Sequence, residues 1–257
     1  MPEVQEATSL FFVPTAAAYL GACGGWLAIE RYGRDFWPAR RESTTDRRYL
    51  DLGLLVAAPA AILLLGQVYR AGYLLPTSGG AWGAIGWQLD NLIIYSPIAA
   101  VLWYRRQSPA TVYLALDGLW RKIVTGTVLA LGAVLVFLLA RGEMARAQEV
   151  FGGVLSGANW RNFLAVFLEG VALAFGFVRL RWVVGLTAAL VIPSVLFAAA
   201  HIPRQIEAER ALWEMGAFFA FNVALAAAIL YVVARSQDVI WIAIVHFWMD
   251  IATRAFD

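Results

Sequence analysis

The 257-residue chain is 61% hydrophobic and 15% charged, with a mean hydropathy of +0.67; water-soluble domains are about 45–50% apolar and about 25% charged, so the composition calls for a bilayer. A lone cysteine, Cys23, excludes a disulfide scaffold and a cysteine-based zinc cluster. The formal net charge of +2 gives no basic field for nucleic acid.

Apolar stretches bounded by charge clusters predict an all-α polytopic membrane helix bundle of about eight transmembrane helices, near 10–29, 50–69, 86–104, 123–140, 162–178, 183–200, 215–233 and 239–252. The first is preceded by Glu3 and Glu6 and by no Lys or Arg, unlike the basic start of a cleaved signal, and is kept as a span. Within it Gly21 and Gly25 stand at GxxxG spacing, which marks close helix packing. The connector 30–49 reads as a solvated headgroup-facing loop, and 105–122 as an interfacial amphipathic helix. The last stretch is short enough to be a core or re-entrant segment instead of a full crossing. No connector has room for a soluble domain, so 1–257 is one transmembrane domain, with 1–150 contributing spans and 160–254 the polar motifs. Lys and Arg fall unevenly between alternate connectors, thirteen against seven, which by the positive-inside rule places both termini on the non-cytoplasmic side. Lys122 is the only lysine among many arginines, and with the alanine content this points to a GC-rich bacterial source and an inner-membrane location.

Ionisable groups inside a bilayer cost several kcal/mol unless they face the bundle interior, a partner or water, so each is a functional candidate. Asp90 and Asn91 interrupt the third span and Asn222 the seventh; these read as hydrogen-bonding glue between helices. Glu169 is the one acid in the apolar run of the fifth span and suits proton transfer. His201 closes the sixth span, one turn after Phe197 and just before Pro203, where water reaches it. His246 and Asp250 are four residues apart in the last span, so they share a helix face about 6 Å apart. Arg179 and Arg181 mark a span end, and either could stand in for a missing motif arginine.

The order of a mid-span Glu, then FxxxH, then Hxxx(N/D) near the end, together with RSQDVIWIAIVHFWMD, resembles the CPBP family of intramembrane glutamic endopeptidases, which includes the type II CAAX prenyl endopeptidases. The resemblance covers roughly residues 160–254. It implies that Glu169 and His201 activate a water while His246 and Asp250 serve the oxyanion side, with no cofactor or metal, and that the substrate is a membrane-associated or lipid-modified peptide or protein. The chain departs from the family's EExxxR motif, with Gly170 in place of the second Glu and Ala174 in place of the Arg. Asp250 replaces the commoner Asn; an ionised carboxylate repels an oxyanion, so Asp250 is either protonated or orients His246, and orientation is its expected role.

Other readings stand beside this one. Two histidines and two carboxylates match the ligand types of a zinc-dependent membrane metalloprotease, although no HExxH is present. The lost Glu and Arg suit a non-catalytic member acting as a membrane immunity or partner protein. A proton-coupled transporter is disfavoured by the lack of inverted repeats.

Overall fold

The computed structural model describes residues 2–33, 48–75, 80–160 and 162–256. Among them there is no strand. In lipid every backbone N–H and C=O must be satisfied within the protein, which leaves helices as the economical solution for runs this apolar. The elements are α1 (Pro2–Tyr32), α2 (Arg48–Arg70), α3 (Gly80–Tyr104), a 3₁₀ turn (Pro109–Val112), α4 (Leu119–Arg141), a second 3₁₀ turn (Met144–Arg146), α5 (Ala147–Leu155), α6 (Gly157–Trp160), α7 (Phe163–Ala200), α8 (Ile202–Glu207), α9 (Leu212–Ser236) and α10 (Ile240–Arg254). Among the described residues, six helical stretches are long and apolar enough to cross a membrane.

The eight predicted spans meet seven long helices, because the fifth and sixth lie in α7. One of the six crossing stretches, Gly157–Glu207, has 51 residues; straight, it would reach about 75 Å, more than twice the roughly 30 Å hydrocarbon thickness. The chain breaks helical geometry at Gly185, with φ 81° and ψ 178°, a combination open essentially only to glycine. A Cβ built on Gly176 would lie 3.5 Å from the Pro193 ring, whereas seventeen residues of straight helix would separate them by about 25 Å. The helix therefore folds back at Gly185 into two packed limbs, 163–184 and 186–200.

The final helix α10, expected as the eighth span, is too short to be counted among the six crossing stretches, and eleven of its fifteen residues are buried, so it is a core helix, an alternative its length had left open. It packs against α4, α7, α5 and α1. The contact with α4 is close because a Cβ on Gly126 would sit 2.9 Å from the Trp241 Cα and carbonyl oxygen. One turn further along α4, a Cβ on Gly25 would meet the Leu129 side chain at 2.7 Å, which bears out the close packing expected of that glycine, and Gly21 makes only ordinary contact with Val136. Trp26 of α1 stacks on Trp241 at 6.0 Å.

These contacts sort the bundle into two ends. At one, Lys122 pairs with Asp238 at 2.5 Å, Arg235 with Glu30 at 2.9 Å, the Val239 N–H donates to the Tyr113 carbonyl at 3.0 Å, and Arg179 donates to Gln107. At the other, Arg70 pairs with Glu207 at 3.3 Å, Arg146 donates to the Ala255 carbonyl at 2.6 Å, and the Arg141 and Arg146 guanidiniums lie 4.3 and 4.2 Å from the Phe256 ring centre. The connector 105–122 holds no amphipathic helix. Its 3₁₀ turn has Pro109 at its start, with the Ser108 hydroxyl accepting from the Ala110 N–H, and stops at Tyr113 in the left-handed region. Val112 and Tyr113 are buried, so the segment dips into the bundle instead of lying on the lipid surface. The loop expected over 30–49 falls mostly outside the described residues.

Candidate functional site

Glu169 lies on the first limb of α7, two turns before Gly176. Seven residues bring a helix back to nearly the same face, and Gly176 faces Pro193 of the second limb, so Glu169 points inward across the hairpin. Its carboxyl is half-buried and interacts electrostatically with Tyr19 of α1 and Tyr95 of α3.

His201 ends the second limb. Glu169 and His201 are each sixteen residues from Gly185, so a hairpin turning there sets them at the same level, about 24 Å from the bend. The ring of His201 contacts Phe197 at 4.6 Å, and its Nδ1 lies 2.8 Å from the Phe197 carbonyl oxygen. A carbonyl only accepts, so this bond puts the proton on Nδ1 and leaves Nε2 for a water. Both contacts stay within its own helix.

His246 and Asp250 lie on α10, which packs against α7 and α1. Tyr19 is edge-on to the His246 ring at 6.1 Å and interacts electrostatically with both Asp250 and Glu169. Tyr19 thus lies near three of the four predicted residues, on a helix the sequence had assigned span count only. Asp250 Oδ2 lies 2.6 Å from Arg254 Nη2. Its partner is Arg254 one turn onward, not His246 one turn back, which corrects the expected orienting role: the arginine reaches the carboxylate with a charge-assisted contact the imidazole does not make. Among the described residues no hydrogen bond or ion pair joins any two of Glu169, His201, His246 and Asp250, and no three His, Cys, Asp or Glu side chains form a metal-holding group.

The motif departures also have a structural reading. A Cβ on Gly170 would meet nothing within 4 Å, whereas Ala174 is fully buried, where an arginine has no room. Arg179 does not mark a solvated span end. It is 2% exposed, donates to Gln107 and lies 5.3 Å from the Phe175 ring centre. Arg181 is exposed and bonds the Tyr113 phenol. Of the polar residues read as glue, Asn91 and Asn222 donate at 2.8 Å to the carbonyls of Trp87 and Phe218 in their own helices. Asp90 is fully buried and accepts from the Leu75 N–H at 3.1 Å, closing the α2–α3 turn.

Sequence reasoning missed the buried pair of Lys122 and Asp238, whose side chains are 3% and 1% exposed. Asp238 Oδ1 accepts from the Ile240 and Trp241 N–H groups at the start of α10, and Lys122 also donates to the Ala115 carbonyl at 2.6 Å. Burial pushes the Asp238 carboxyl above the usual range, against the pull of Lys122 and the two backbone donors. The solitary lysine at the start of an apolar run was the available signal.

Comparison of the chain with protein-family models, with curated proteins and with solved structures gives no match. The all-α bundle and the integral membrane character rest on the chain's own helices.

Proposed function

We propose that the chain is an intramembrane endopeptidase of the CPBP type, in a bacterial inner membrane, that hydrolyses a peptide bond in a membrane-associated or lipid-modified substrate. The observation that carries this reading is the hairpin register: it turns Glu169 inward and sets it level with His201, whose Nε2 is left to bind water. Glu169 takes a proton from a water polarised by His201, and the hydroxide attacks the scissile carbonyl. His246 donates to the developing oxyanion, and Glu169 returns its proton to the departing amine. Tyr19 positions His246 through the ring-edge contact. Exclusion of bulk water by the bundle strengthens each charge interaction.

A non-catalytic membrane partner or immunity role is the second reading, favoured by the Asp250–Arg254 pair and by the lack of room for an arginine at Ala174. The two separate in membranes expressing wild type or Glu169→Gln, with newly formed peptide termini mapped by mass spectrometry. Hydrolysis predicts termini that appear with wild type only; identical sets of termini would refute it.

A further inference from the structure

The four connectors 30–49, 105–122, 179–182 and 234–238 carry thirteen of the chain's twenty Lys and Arg residues. The structure gathers the described parts of all four at one end of the bundle. Glu30 pairs with Arg235, Lys122 with Asp238, Arg179 bonds Gln107, and Arg181 bonds Tyr113, whose carbonyl accepts from Val239. These are short connectors, the kind whose Lys and Arg content governs orientation, so this end faces the cytoplasm.

The candidate site lies at the other end. Gly185 turns the α7 hairpin on the cytoplasmic side, and Glu169 and His201 are about 24 Å from it along their limbs. In a hydrocarbon layer of about 30 Å, that depth is close to the far boundary. Asp250 is twelve residues beyond Asp238 on the same side, about 18 Å along the helix. His201 leads directly into the short helix α8, whose Glu207 is exposed and pairs with Arg70 at the α2 terminus. Water therefore reaches the imidazole from the non-cytoplasmic side, while Lys122, Asp238 and Arg179 close the bundle on the cytoplasmic side.

We infer that the site opens to the non-cytoplasmic face, and that its substrate is a peptide or protein segment seated in the outer-facing leaflet, such as the membrane-emerging part of an exported chain. A lipid-modified tail on the cytoplasmic surface would approach the closed end. The substrate class rests on the hydrolytic reading above; the sidedness does not.

The test uses single added cysteines and a membrane-impermeant maleimide on intact cells, with buried Cys23 as the non-labelling background. Leu116→Cys and Arg106→Cys report the Lys122 end; Leu212→Cys and Tyr73→Cys report the His201 end, and all four positions are exposed. The expected result is labelling of the second pair in intact cells and of the first pair only after permeabilisation. The reverse pattern overturns the sidedness whatever the outcome for hydrolysis. In the same cells, termini that need Glu169 should map to non-cytoplasmic segments of their parent proteins. Cytoplasmic termini overturn the substrate class while leaving hydrolysis intact, and no Glu169-dependent termini overturn both hydrolysis and the substrate class while leaving the labelled orientation standing.

Discussion

Asp238→Asn probes how the last helix is anchored. Lys122 and Asp238 are paired at 2.5 Å with side chains 3% and 1% exposed, so removing the carboxylate charge strands an ammonium in a dry interior. Breaking a buried pair in this way costs about 3–5 kcal/mol. Asparagine keeps an oxygen for the Ile240 and Trp241 N–H groups, so the loss reports the charge and not the cap. The double variant Lys122→Met with Asp238→Asn removes both charges. It recovers most of the loss, short of about 1 kcal/mol for the forfeited hydrogen bond to Ala115. Cys23 is the only cysteine and is 5% exposed, so a dye that fluoresces on reaction with thiols reports unfolding without further engineering. At about 2–4 °C per kcal/mol, Asp238→Asn lowers the midpoint by roughly 10 °C in detergent micelles. A midpoint equal to wild type, or a double variant less stable than the single one, would refute the reasoning.

Gly185→Ala meets no steric obstacle, yet places a Cβ on a glycine-only conformation; it destabilises by about 1–3 kcal/mol, whereas Gly170→Ala, in regular helix with open space around it, stabilises slightly in the same dye assay. Gly126→Ala drives a methyl into the Trp241 backbone and lowers the midpoint through strain between α4 and α10; unchanged melting would show that the two helices separate freely. Tyr19→Phe keeps the ring edge against His246 while removing the hydroxyl near Glu169 and Asp250. It leaves cleavage of a substrate found through Glu169-dependent termini near the wild-type rate, whereas Tyr19→Leu, which removes the ring that positions His246, slows it by about tenfold or more; equal rates for the two variants would refute the positioning role.

Much of the architecture was legible because lipid imposes length and apolarity on each helix. All eight apolar stretches are helical, although the short last one, expected as a span, is a buried core helix. The hairpin at Gly185 was visible as two spans but not as one folded element, since a glycine in an apolar run carries no mark of its φ value. The proline-led turn at 109–112 was misread because aromatic and basic residues suggest an interface whether they face lipid or tuck inward. In the candidate site, the placement of Glu169 and His201 on the two limbs of α7 followed from their spans, but the Tyr19 contact did not: a tyrosine in a span looks like belt or core until the helices that meet it are known. Asp250 was misjudged because helical spacing allows partners on either side, and Arg254 at the next turn has the charge to win.

In the proposed mechanism Glu169 moves the proton of an attacking water. The most direct measurement of this step is the cleavage rate of a Glu169-dependent substrate in vesicles reconstituted with wild type, Glu169→Gln or His201→Asn, each with a metal chelator present. Loss of a general base costs about 10²–10⁴-fold, so rates for both variants should fall by at least that much, with wild type unaffected by the chelator. Undiminished cleavage by Glu169→Gln, or cleavage by wild type that stops when metal is withdrawn, would contradict it.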